Sequence, residues 1–232
     1  LRDDGEYRSQ FETGTGAGGL SAFPGGERWQ WETQMFGGAY DEAPVSARPK
    51  VGALNFRHRA TGAAPRFGSA HLRLRAPVVA RCTFCYPDAS RAPSAFGTAS
   101  HMALIELASA DPQDRLDDYI ETHIHGPLRL ADDVEAIVLD PCFRDTEVED
   151  FARELPCSVE WHPGFCLHVD EMARHPTYRG PEYVTLGRSL AVDGYLTPAI
   201  LEAAVRTERY HPQDVKKVWH YVARFGDRTS HA

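Results

Sequence analysis

Glu121, His123 and His125 alternate along Tyr119-Ile-Glu-Thr-His-Ile-His125. A strand over this stretch lines up one carboxylate and two imidazoles, with Ile120, Thr122 and Ile124 on the opposite face. Two chemistries suit such a row. In the first, His123 and His125 bind a metal from one strand face, Glu121 or a distant Asp completes the set, and His71, His162 and His168 are the further candidate ligands. In the second, Glu121 is the working carboxylate. It stabilises a developing oxocarbenium cation, or accepts a hydrogen bond from a ribose hydroxyl, while the histidines orient it. The plain alternative is an edge strand with its polar residues facing water. The apolar flanks argue for an interior strand, where charges need partners.

The elements that must position this row can be read outward from it. Gly126-Pro127 ends the strand, and the apolar run Ala136–Leu139 suits a second, buried strand paired beneath it. Upstream, Tyr7–Thr13 alternates as a strand with Arg8, Gln10 and Glu12 on one face. It runs into the glycine cluster Gly14–Gly19, whose amides can approach a phosphate. No βαβ context follows, so a dinucleotide fingerprint is not assigned. Arg28–Met35 reads as a short helix ended by Gly37-Gly38. Val51–Phe56, Ser69–Arg75 and Val78–Tyr86 read as strands, Pro87–Ser100 as a flap-like loop, and Met102–Leu107 as a helix start. Thr146–Leu155 predicts a helix with a Thr146/Glu149 capping box and an apolar face of Val148, Phe151, Ala152 and Leu155. Ser158–His162 and Phe165–Val169 read as closing strands. After His168 the pattern turns helical, with Thr197-Pro198 opening one helix and Val215, Val218, Trp219 and Val222 on one face of another. The reading is an α+β domain over 1–168 with a packed helical appendage over 169–232.

Composition bounds the function. With 25 Lys and Arg against 33 Asp and Glu, the net charge of -8 disfavours nucleic acid and anionic membrane as partners. No long apolar run or signal-peptide pattern is present, so a cytoplasmic, non-membrane protein is expected, with secretion as an effector left open. Five cysteines point away from a disulfide framework. Cys82 and Cys85 have metal-type spacing without a second pair, so a structural role is expected of them.

Five runs carry a resemblance: Tyr7–Gly14, Arg48–Asn55, Arg66–Leu74, Tyr119–Gly126 and Val218–Gly226. Together they resemble an uncharacterised bacterial family catalogued as a domain of unknown function, in which Gln is expected where this chain has His123. A more distant resemblance rests on Glu121, the following Gly126, the acidic turn and the strand Val134–Leu139. This is similar to the end of the ADP-ribosyltransferase fold. That resemblance implies a mostly antiparallel, split or sandwich-like sheet with flanking helices, and NAD as substrate with an unidentified acceptor. It assigns Glu121 to the catalytic carboxylate, Arg8 to the first-strand arginine, and Thr83 or Ser90 to the middle-strand hydroxyl. Gln10, Thr13 and Gly14 join Arg8 on the dinucleotide, and His125 positions Glu121 or the acceptor. No metal belongs to this reading; the rival metal-dependent hydrolase or nuclease uses His123, His125 and His71. A non-catalytic binding or regulatory protein is the third reading.

Overall fold

A computed structural model describes residues 5–14 and 21–231. Its centre is a four-stranded antiparallel sheet built from β1 (Lys50–Leu54), β3 (Cys82–Tyr86), β4 (Ala95–Thr98) and β5 (Ile120–Ile124), in the order β1-β5-β3-β4. β5 is therefore interior, paired on both sides. The register sets Val51 and Thr83 opposite His123, and Ala53 and Cys85 opposite Glu121. Directly paired residues share a sheet face, so these four side chains surround the polar row. The other face is apolar: Ile120, Ile124, Phe84, Cys82 and Tyr86 pack with Val78, Leu128, and Leu104 and Ala108 of helix Leu104–Ala110.

The second sheet is β2 (His71–Leu74), β6 (Val134–Leu139) and β7 (Ser158–Trp161), with β6 in the middle. β2 pairs with it antiparallel and β7 parallel. The parallel pair needs a crossover, and the helix Glu147–Arg153 supplies it, packing Ala152, Val148 and Leu155 near Ile137 and Leu139. The chain is thus α+β with mostly antiparallel sheets. β5 and β6 belong to different sheets, so the expected pair beneath the row does not form; the row is supported instead by the apolar core under β5.

Other expectations are corrected by packing. Tyr7–Thr13 is not a strand: Gln10–Thr13 forms a helical turn, where the Glu12 carboxylate accepts from Ser9 N at 2.6 Å and Gly14 closes it at φ 63°. The supposed flap contains β4, which pairs with β3. At Glu147–Arg153 the Thr146 hydroxyl donates to Phe143 O and Glu149 accepts from Asp145 N, so the reciprocal capping box is absent. Phe151 is exposed, since the crossover helix turns only Ala152 fully inward.

The C-terminal helices Val169–Ala173, Pro181–Leu190, Pro198–Arg206 and Pro212–Phe225 share one core with Leu116, Phe165 and Leu167 from the preceding part of the chain. Val215, Val218, Trp219 and Val222 are all buried, and Gly226 ends the last helix. Thr197 Oγ1 accepts from Ile200 N with Pro198 in the first turn. No helix among the described residues is long and apolar enough to cross a membrane.

His220 lies in this core, 2 % exposed, and neither ring nitrogen makes a hydrogen bond. Burial, then the charges of Arg179, Arg66, Lys216 and Lys217, lower its pKa to about 3. Above the unfolded value near 6.5 both states are neutral and stability is complete. As pH falls below that value the unfolded chain binds a proton the folded chain refuses, so stability is lost down to the folded pKa. The expected loss is about 2–3 kcal/mol between pH 7 and pH 4.5. Urea unfolding of wild type and His220→Phe at both pH values measures it; parallel losses in the two proteins would reject it.

Candidate functional site

The polar face of β5 is a hydrogen-bonded chain, buried at Glu121 and His123 and half-buried at Thr83, His125 and Tyr40. Tyr40 Oη is 2.6 Å from His125 Nδ1, and His125 Nε2 is 2.8 Å from Thr83 Oγ1. Thr83 Oγ1 is 3.4 Å from His123 Nδ1, and His123 Nε2 is 3.1 Å from Glu121 Oε1. Glu121 Oε2 accepts from Ala89 N at 3.2 Å. One assignment satisfies every link: Tyr40 donates to His125, His125 to Thr83, Thr83 to His123 and His123 to Glu121, each imidazole donating from Nε2. Glu121 is 5 % exposed and His123 2 %. Burial, then His123, lowers the pKa of His125, which favours the neutral ring this chain needs.

The row is roofed by the helix Glu27–Met35 and the turn after it. This helix is polar on its inner side because it covers charges. Arg28 and Glu32, one turn apart, face the sheet, and Arg28 Nη2 is 3.8 Å from Glu121 Oε1. Gly37 and Gly38, at φ 58° and 79°, stop the helix and fold the chain back, a conformation open to Gly at little cost. That turn sets Phe36 edge-on to His123 and His125, at 5.2 and 5.8 Å, and stacks Tyr40 on His125. Glu32, 1 % exposed, is held by Arg48 Nη1 at 3.1 Å, yet burial still raises its pKa.

Two hollows flank this arrangement. An open cleft is lined by Met35, Phe36, Thr83, Phe96, Gly97, Thr98, His101 and His123. A smaller, more enclosed one is lined by residues including Gln10, Arg28, Glu32 and Val51; Gln10 Oε1, Arg28 Nη2 and Glu32 Oε1 make no hydrogen bond.

The structure joins Glu121, His123, His125 and Thr83. Gln10 comes to the smaller hollow. Ser90 is tied to Asp88 beside Ala89, the residue that donates to Glu121. Arg8 is exposed on the segment before the first helical turn, and the cation beside Glu121 is Arg28. Thr13 and Gly14 are exposed at the end of that turn, and most of the Gly14–Gly19 loop lies outside the described residues. His71 does not reach the row: it lies in the second sheet, stacked on His162, which is bonded to Ser69 O. His168 caps the helix after it. Cys82 and Cys85 point to opposite sheet faces; Cys85 joins the row, where its Sγ and ligand atoms of Glu121 and His123 all lie within 4.8 Å of one another. Sequence reasoning missed Cys85, Arg28, Glu32, Tyr40 and Arg48. The one available signal was the i, i+4 charge pair on a helix too polar to pack on an apolar face.

Fold and site together define an α+β protein whose interior strand carries a buried carboxylate–imidazole pair, bonded to a neighbouring-strand hydroxyl that opens on a cleft. The chain belongs to the family described as protein of unknown function, DUF3626, which it matches over residues 1–109 and 99–225. A search of curated proteins finds no match.

Proposed function

We propose that the chain cleaves the nicotinamide–ribose bond of NAD, as a transferase or hydrolase of the ADP-ribosyltransferase kind. The observation that supports this reading best is the setting of Glu121. It is a buried carboxylate that accepts from Ala89 N and the His123 ring, with the Arg28 guanidinium only at 3.8 Å. A carboxylate without a tight ion pair keeps its negative field, which stabilises a cation forming above it in a poorly solvated site.

In this reading NAD enters the cleft with nicotinamide against Phe36, Met35 and Phe96 and its ribose over Thr83 and His123. The C1′–N bond breaks, its electron pair leaves with neutral nicotinamide, and positive charge develops on the ribose. Arg8, with Thr13 and Gly14 on the same segment, is assigned to the pyrophosphate. His125 holds Thr83. The test is NAD titration with nicotinamide release followed by chromatography. Time-dependent release and a raised melting temperature are expected; absence of nicotinamide release overturns the reading.

A second reading rests on one specific observation, the Cys85–Glu121–His123 cluster. Three donors of these types suit zinc with an open fourth position, and a metal would offset the cost of ionising Cys85, whose thiol is pushed up by burial and then by Glu121 and Asp88. Metal analysis of protein purified without a nickel column decides between them. Metal well below one equivalent is expected; stoichiometric zinc whose removal abolishes activity would favour a metal-dependent hydrolase.

A further inference from the structure

We infer that Thr83 is the nucleophile of this site, capturing the ribosyl group as a covalent enzyme intermediate with His123 as its base. The inference rests on the NAD reading and names the first acceptor within it. Thr83 stands opposite His123 in the β3–β5 register and lines the cleft. Its hydroxyl meets His123 Nδ1 at 3.4 Å, while Glu121 meets Nε2 of the same ring at 3.1 Å. Nucleophile and carboxylate on opposite nitrogens of one imidazole is the arrangement of a hydrolytic triad, and such contacts are commonly loose before substrate binds. His125 adds an N–H to the same oxygen at 2.8 Å, held in that tautomer by Tyr40, which stabilises charge building on the oxygen.

The competing nucleophile is Cys85. It is fully buried, and its sulfur lies 4.0 Å from Nε2, the nitrogen already taken by Glu121. Thr83 is therefore the hydroxyl that has both a base and access to the cleft. The step balances: the C1′–N bond breaks with its electrons going to nicotinamide, Thr83 Oγ1 bonds to C1′, and the hydroxyl proton passes to His123 Nδ1 as the imidazolium pairs with Glu121. Water or another hydroxyl then displaces Thr83 at C1′: the His123 imidazolium returns its proton to Thr83 Oγ1, and the proton of the incoming hydroxyl passes to His123 and on to solvent, one proton being released per NAD cleaved.

Two displacements at one carbon retain configuration; a single one inverts it. The test is wild-type protein turning over NAD in aqueous methanol, with the anomeric configuration of the methyl ADP-ribose read by NMR, beside nicotinamide release by Thr83→Ser and Thr83→Val. Retention is expected, with Thr83→Ser within about tenfold of wild type and Thr83→Val lower by at least about 100-fold. Inversion, or release by Thr83→Val close to wild type, overturns the covalent step while leaving NAD cleavage intact. Absence of nicotinamide release from wild type overturns the NAD reading itself, and this inference with it.

Discussion

Glu121→Gln is expected to lower nicotinamide release by about 10⁴-fold while leaving the fold in place. The two side chains have the same shape, and Gln can keep the bond from Ala89 N through its oxygen. Its amide NH₂ then faces His123 Nε2, where the carboxylate had accepted a hydrogen bond. That nitrogen must become an acceptor, which moves the ring proton to Nδ1, towards Thr83. The imidazole can no longer take the Thr83 proton. The negative field beneath the cleft is lost in the same substitution, so ribosyl-cation stabilisation falls as well. Melting temperature within a few degrees of wild type, measured beside chromatographic NAD consumption, separates this from unfolding. NAD consumption by the variant within tenfold of wild type would remove Glu121 from the reaction.

The alternation of Tyr119–His125 was legible in the sequence because a strand has a fixed period of two, and the packing of Val215, Val218, Trp219 and Val222 because a helix has one of 3.6. Which strand lies beside which is a different kind of fact. Val134–Leu139 is as apolar as a neighbour of β5 should be, yet it pairs with β2 and β7, since apolar runs carry no label for their partner. Glu121 and Thr83 could be chosen as chemical candidates, but the bonds joining them depend on β3 taking the register that sets Thr83 against His123. Arg28 and Glu32 were hidden for a related reason. A helix reads as core-facing when its inner side is apolar; this one covers a polar face and carries charges inward. Tyr7–Thr13 alternates well enough for a strand, but the cap formed by Glu12 on Ser9 N draws it into a helical turn.

Arg48→Met is expected to destabilise the protein by about 3–5 kcal/mol near neutral pH. Arg48 is fully buried, with its guanidinium 3.4 Å from the centre of the Trp29 ring and 4.7 Å from that of Phe11. It binds Glu32 Oε2 and, through Nη2, Tyr40 O, both at 3.1 Å. Methionine keeps much of the volume between the rings but leaves Glu32 with Arg28 as its remaining cation, Nε at 3.5 Å. Most of the cost is then the unbalanced charge on Glu32, and two consequences distinguish this from lost packing. Glu32 already has a pKa raised by burial, and losing Arg48 raises it further. The variant's deficit should therefore shrink as pH falls and Glu32 takes up a proton, since folding no longer buries a charge. In addition, Glu32→Gln combined with Arg48→Met should cost less than Arg48→Met alone, the non-additivity expected of residues in direct contact. Urea unfolding of wild type, both single variants and the double variant at pH 7.5 and pH 5 measures both effects. Equal deficits at the two pH values, with single costs that simply add, would make Arg48 a packing residue. If the charge account holds, loss of the bond to Tyr40 O also loosens the residue that fixes the His125 tautomer, so Arg48→Met should slow catalysis even under conditions where it stays folded.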